Sequence, residues 1–145
     1  MDMSLLKNKL KRSNLIIGDV RDTASKFFRE NDPAPIGAII HDFDYYSSTK
    51  EALQMLNAGD LYYLPRVYCY FDDVVGGETE LYNDFTGQRL AINEFNNVNE
   101  NIKLGVPYHL RSNATEIWHN QIWIAHFLST MTTISSLVLA IKNFL

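Results

Sequence analysis

The chain has 145 residues, of which 46% are hydrophobic and 21% charged, a composition typical of a soluble globular protein rather than a disordered one. A formal net charge of -4 offers no general basic field for nucleic-acid phosphates, so we expect no nucleic-acid partner. The single cysteine excludes a disulfide framework and a CxxC zinc site, and it favours a reducing, cytoplasmic location.

The first elements of the chain are a polar leader, a strand and a helix. Residues 1–13 lack the apolar core of a secretory signal. NLIIGDV, residues 14–20, predicts a short buried strand, and DTASKFFRE after it predicts a helix with Asp22 as its N-cap. Pro33 and Pro35 are expected to end this helix, because each proline biases its predecessor toward extended backbone.

The middle of the chain alternates between apolar runs and helical patterns. IGAIIHDF, residues 36–43, predicts a strand, and Ser48 and Glu51 predict a capping box at the start of the helix TKEALQMLN. RVYCYFDD, residues 66–73, predicts another strand.

Further on, residues 78–97 form a polar helical pattern that can break at Gly87. NIKLGVPYHL and QIWIAHF are two strand candidates that close the domain. The alternation of strands and helices over residues 14–127 predicts an α/β domain with an open sheet and right-handed crossovers.

The C-terminal segment, residues 128–145, is the most apolar part of the chain. Polar residues break it short of the roughly 20 continuous apolar residues that span a bilayer, and we expect no membrane association. Its apolar residues recur at helical spacing, which predicts a helix packing on its own domain or on a partner. These residues are Leu128, Met131, Ile134, Val138, Ile141 and Leu145.

Acidic residues follow two of the predicted strands directly. Asp42 and Asp44 end one strand, and Asp72 and Asp73 end the next. Ligands of open α/β sheets bind beyond the carboxyl ends of the strands, so this pattern predicts a metal or ligand site if the two strands are neighbours. Oxygen-only ligands suit Mg²⁺ or Ca²⁺ better than zinc. The alternative for each acid is a local role as a turn residue or helix N-cap.

Together, DFDYYSSTKEAL and VYCYFDD resemble the D-x-D-x-Y-x-S-T and V-x-x-D-D pattern of class I S-adenosylmethionine-dependent O-methyltransferases. The resemblance is to the macrocin O-methyltransferase-like group, and it covers about residues 14 to 75 well. It implies a Rossmann-like sheet with helices on both faces. It also implies a hydroxyl-bearing small molecule as methyl acceptor.

The same resemblance implies roles for individual residues. Asp42, Asp72 and Asp73 would be the Mg²⁺ ligands, and the ion would orient the acceptor hydroxyl and lower its pKa. Asp19 falls where a loop of the family contacts the adenine of S-adenosylmethionine. A neighbouring set, Tyr46, Ser48 and Thr49, matches positions that shape the turn beside the site.

One part of the family pattern is missing from this sequence. No glycine-rich turn after a first strand precedes residue 14, and Gly76-Gly77 does not replace it. The chain therefore resembles the C-terminal part of such an enzyme, without its first two strands. We expect weak activity or none when it is alone, and self-association through the exposed strand edge or the C-terminal helix.

Two other readings of the acidic residues remain open. DFD after an apolar strand also resembles the nucleophile loop of haloacid-dehalogenase-like phosphatases, although Tyr46 stands where that family has threonine or valine. The chain can instead be a non-catalytic remnant or interaction module whose acidic turns are structural. His41 is expected to be packed rather than catalytic, whereas His119 and His126 are candidates for a general base.

Overall fold

The computed structural model describes residues 3–112 and 115–129. Four strands and five α-helices alternate along this part of the chain. In order they are α1 (Met3–Lys9), α2 (Val20–Asn31), β1 (Ile36–His41), α3 (Tyr46–Leu53), β2 (Tyr63–Phe71), α4 (Gly87–Val98), β3 (Ile102–Gly105), α5 (Tyr108–Ser112) and β4 (Ile122–Phe127).

The four strands form one open, mixed sheet in the order β1-β2-β4-β3. β1 and β2 are parallel, with His41 opposite Phe71 at their carboxyl ends. β4 lies between β2 and β3 and runs antiparallel to both. The expectation of an open α/β sheet is therefore confirmed in this coarser form. The alternation of strands and helices also predicts parallel strands throughout, and this is wrong, because β4 is antiparallel to both of its neighbours.

The hydrophobic core lies on one face of the sheet. Side chains alternate between the two faces along a strand, and the core face carries Val67, Cys69 and Phe71 from β2. Phe28 of α2 and Leu53 of α3 belong to the same cluster of buried side chains, as do three residues of α4. The three longest helices thus pack on a single face.

The opposite face of the sheet is much less covered. Ile40 of β1 is 74% exposed and Tyr68 of β2 is 61% exposed. Among the described residues, the short helix α5 is the element that overhangs this face, beside β3 and β4. Long helices on both faces, which the resemblance implies, are therefore not seen in the described part of the chain.

The predicted strand over residues 14–20 is wrong. Residues 14–19 form no regular secondary structure, and Ile16 and Ile17 are 46% and 68% exposed. An apolar run becomes a strand only where another strand accepts its backbone hydrogen bonds, and no described strand lies beside this one.

Two predicted helix caps are also corrected. Asp19, rather than Asp22, caps α2, since its carboxylate accepts the N–H of Arg21 at 2.9 Å. α3 begins before the predicted capping box, because the N–H of Thr49 already donates to the carbonyl of Tyr45 at 3.1 Å. Ser48 is therefore an interior residue of α3 rather than its N-cap.

The remaining boundaries differ by a few residues. β2 begins at Tyr63, before the predicted start, and its acidic residues lie in the 3₁₀ turn Asp72–Val74 that follows it. The helix predicted over residues 78–97 begins only at Gly87, whose φ of 53° is left-handed backbone that glycine adopts freely.

The C-terminal helix predicted over 128–145 lies almost wholly outside the described residues. Within the described ranges, none of the helices has the length and apolarity needed to cross a membrane.

The outer edge of β1 leads us to expect self-association. In the described sheet β1 pairs with β2 alone, and the run IGAII carries no charged side chain to block pairing with another strand. Ile40→Lys places a charge on this edge and should shift the chain toward monomer in sedimentation velocity. Leu61→Lys, at a residue that is 91% exposed, is the control and should leave association unchanged. A wild-type chain that stays monomeric at high concentration contradicts the expectation.

Candidate functional site

The structure brings the two acidic strand ends together. Asp42 follows β1 and Asp72 follows β2, and the residues before them, His41 and Phe71, lie opposite each other in the parallel pair. Neighbouring strands are about 4.8 Å apart, so the two aspartates leave the sheet side by side. The expectation that these strands are neighbours is confirmed.

Asp73 is the most constrained acid of this group. Its Oδ1 accepts a hydrogen bond from the hydroxyl of Tyr82 at 3.1 Å. Its Oδ2 is buried and has no hydrogen-bond partner within the described residues. A buried carboxylate oxygen without a partner is costly, and it calls for a proton or a cation.

The electrostatics of Asp73 point the same way. Burial raises the pKa of the Asp73 carboxyl, and the charges of Asp72, Asp44 and Asp42 raise it further, against the hydrogen bond from Tyr82. Asp42, Asp44 and Asp72 are thus each close enough to Asp73 to repel its negative charge. We call this set, Asp42, Asp44, Asp72 and Asp73, the acidic cluster.

Gln88 holds the two strand ends in place, and the sequence analysis missed it. Its side chain is fully buried at the start of α4. Oε1 accepts the N–H of Asp73 at 2.9 Å, and Nε2 donates to the carbonyls of His41 at 3.2 Å and Phe43 at 3.3 Å. One amide therefore connects the turns after β1 and β2. A polar residue beside Gly87 gave no sequence signal of this role.

Asp72 is positioned by two further side chains. The hydroxyl of Tyr70 donates to its Oδ1 at 2.8 Å, and this bond raises the pKa of the tyrosine. Nε2 of Gln121, just before β4, donates to the Asp72 carbonyl at 2.7 Å. Because the Tyr70 side chain lies on the less covered face, Asp72 is directed toward that face as well.

Asp19 has a local structural role in the fold. It caps α2, and no contact among the described residues links it to the acidic cluster. Its assignment to the adenine of S-adenosylmethionine stays a prediction. Tyr46 is directed toward α4, because its hydroxyl donates to Oε2 of Glu94 at 2.6 Å. Thr49 is buried in α3.

The histidines lie apart from the acidic oxygens. His41 is buried, as expected, and stacks on Phe71 with ring centroids 4.4 Å apart. His126 lies opposite Arg66, toward the other end of β2. His119 accepts the N–H of Glu116 at its Nδ1, at 3.3 Å. Neither His119 nor His126 contacts an aspartate of the cluster within the described residues.

The donor set of the acidic cluster fits Mg²⁺ chemically. It offers carboxylate oxygens alone, one of them buried and without a partner, which are the ligands that this ion prefers. Across the described residues, however, no three His, Cys, Asp or Glu side chains already stand in the arrangement of a metal site. Binding would therefore require the exposed side chains of Asp42 and Asp72 to turn toward Asp73.

The described residues do not fit S-adenosylmethionine. β1 is the first described strand, and the residues after it are Asp42, Phe43 and Asp44, without a glycine. A dinucleotide-type phosphate or adenosine loop needs glycines where the backbone approaches the ligand.

Comparison with protein-family models, with curated proteins and with solved structures finds no match to this chain.

Proposed function

We propose that the carboxyl ends of β1 and β2 bind one Mg²⁺ through Asp42, Asp72 and Asp73. We further propose that the chain corresponds to the C-terminal part of a Mg²⁺-dependent S-adenosylmethionine O-methyltransferase, with a Rossmann-like sheet. The observation that carries the first proposal is the buried Oδ2 of Asp73, which has no partner among the described residues. A divalent cation satisfies this oxygen and offsets the repulsion among the acids.

The neighbouring residues determine how the site is held. Gln88 fixes the backbone at Asp73 and after β1, and Tyr70 and Gln121 fix Asp72. Bound Mg²⁺ would lower the pKa of an acceptor hydroxyl. Asp72 is directed toward the less covered face of the sheet, so a hydroxyl-bearing small molecule can approach the ion from that side.

We expect the wild-type chain to bind Mg²⁺ saturably in isothermal titration calorimetry. Asp73→Asn should bind Mg²⁺ at least about tenfold more weakly, since the loss of even a residue that only supports a ligand lowers metal affinity by that factor. The matched control is Asp32→Asn. Asp32 lies before β1, at the opposite end of the strand, and its left-handed backbone, with φ of 42°, tolerates asparagine. Equal Mg²⁺ binding by Asp73→Asn and wild type, or none by wild type, contradicts the proposal.

The metal-free stability of Asp73→Asn gives a second readout. Because the folded pKa of Asp73 is raised, its carboxyl favours the fold at low pH and opposes it as the pH rises. At neutral pH without Mg²⁺, Asp73→Asn should therefore be more stable than wild type in a thermal melt, and the same concentration of Mg²⁺ should stabilise the wild type more than the variant.

The methyltransferase part of the proposal has its own test. The chain alone should bind S-adenosylmethionine weakly or not at all, because a glycine loop is lacking. Micromolar, Mg²⁺-dependent binding in the same calorimeter would overturn this expectation. Hydrolysis of a generic aryl phosphate would favour the haloacid-dehalogenase-like alternative, and a stable oligomer without Mg²⁺ binding would favour an interaction module.

A further inference from the structure

A groove lies on the less covered face of the sheet, between β2, β4 and the segment that connects β3 to α5. Its volume is about 710 Å³, which is within the range of small-molecule sites. The floor consists of Tyr68, which lies opposite Ile124, together with Ile122. Pro107 and Leu110 face this floor from the other side. The groove is therefore apolar over most of its length.

The charges around the groove are all basic. Arg66 and His126 lie opposite each other on β2 and β4, and His109 and Arg111 come from α5. No aspartate or glutamate lines the groove within the described residues, although acidic residues outnumber basic ones, 17 to 13, in the whole chain. Positive charge is thus concentrated at the groove, although the net charge of the chain is negative.

The two guanidinium groups have no charge partner in the described structure. The ion pairs there join other residues, Arg21 to Glu51 and Arg89 to Asp84 among them, and neither Arg66 nor Arg111 takes part in one. Burial lowers the pKa of His126, and the charge of Arg66 lowers it further, so both effects favour the neutral imidazole and leave the positive charge of the groove to the two arginines. An arginine over an apolar floor, without a carboxylate, is free to form a bidentate pair with one.

We infer that this groove binds a small organic anion, a flat apolar body that carries a carboxylate. The apolar body would lie on Tyr68 and the isoleucines, and the carboxylate would reach Arg66 or Arg111. The site is distinct from the acidic cluster. The groove requires no divalent cation, and its charge is positive whereas that of the acidic cluster is negative. Either site can therefore exist without the other.

The probe for the test is 2-naphthoate, with 2-naphthalenemethanol as its uncharged counterpart and acetate as a carboxylate without the apolar body. In calorimetry of the wild-type chain, naphthoate should bind at least about tenfold more tightly than 2-naphthalenemethanol, since one charge-assisted hydrogen bond accounts for that ratio. It should also bind more tightly than acetate, which has the carboxylate but buries no apolar surface. Equal binding of naphthoate and the alcohol, or no binding of naphthoate, overturns the inference.

Arginine variants locate the site. Arg66→Gln and Arg111→Gln keep a polar side chain but remove its charge, and at least one of them should weaken naphthoate binding by about tenfold. Arg29→Gln, on the exposed surface of α2, is the matched control and should bind like wild type. Circular dichroism establishes that each variant is folded. Folded variants of Arg66 and Arg111 that both bind naphthoate like wild type would place it elsewhere and overturn the inference.

Discussion

Replacing Gln88 by leucine should destabilise the fold by about 4 kcal/mol, one of the two largest effects that we expect. Leucine fills a similar volume, but it removes the acceptor of the Asp73 N–H and the donor to the carbonyls of His41 and Phe43. Each buried group left without a partner costs about 1–3 kcal/mol. A domain is stable by about 5–15 kcal/mol in total, so the loss is a large fraction.

Urea denaturation measures this effect, as a lower midpoint with an unchanged slope. Gln54→Leu is the matched control, because Gln54 is exposed and its two side-chain hydrogen bonds, to the carbonyl of Lys50 at 3.4 Å and from the amide of Asn57 at 3.2 Å, are long and exposed. It should change the free energy of unfolding by less than about 1 kcal/mol. A Gln88→Leu variant as stable as this control would show that the amide does not connect the two strand ends.

The second large effect is a dependence of stability on pH that comes from His41. Burial lowers the pKa of this imidazole from 6.5 to about 4, and neither ring nitrogen has a hydrogen-bond partner within the described residues. The unfolded chain binds a proton at this histidine at a higher pH than the folded chain does. The contribution of His41 to stability is therefore complete above the pKa of the unfolded state, and it is lost as the pH falls toward the pKa of the folded state. Between pH 6.5 and about 4, wild type should lose about 3 kcal/mol from this group.

His41→Phe should remove this loss, since phenylalanine can stack on Phe71 and does not titrate. The measurement is the difference in unfolding free energy between pH 7 and pH 4 for wild type and variant. Both proteins keep the raised pKa of Asp73, so the comparison isolates His41. His109→Phe, at an exposed histidine, should keep the wild-type dependence. Equal pH dependence in wild type and His41→Phe would mean that the imidazole stays accessible to protons.

Much of the sheet was predictable from local patterns. β1, β2 and β4 are apolar runs bounded by polar or turn residues, and such runs are recognised wherever they occur. The position of Asp42 and Asp72 at the same edge of the sheet was also predictable, because both follow strands and parallel neighbours end at the same edge. The packed state of His41 followed from side-chain alternation along β1.

The errors come from interactions between distant parts of the chain. Residues 14–19 have the composition of a strand, but a strand needs a neighbour, and no local pattern reports whether one is present. Gln88 lies 15 residues beyond Asp73 in the sequence. Its buried amide reaches its hydrogen-bond partners only after α4 has packed against the two strand ends. The antiparallel direction of β4 likewise depends on the path of the chain after β3.

Cys69 lies at the centre of β2, with no exposed surface, and burial raises the pKa of its thiol to about 12. It is the only cysteine of the chain. Thiolate-specific reagents can therefore react only with molecules in which the sheet has transiently separated. The rate of alkylation at this single sulfur therefore measures how often the sheet separates, and the measurement requires no substitution in the chain.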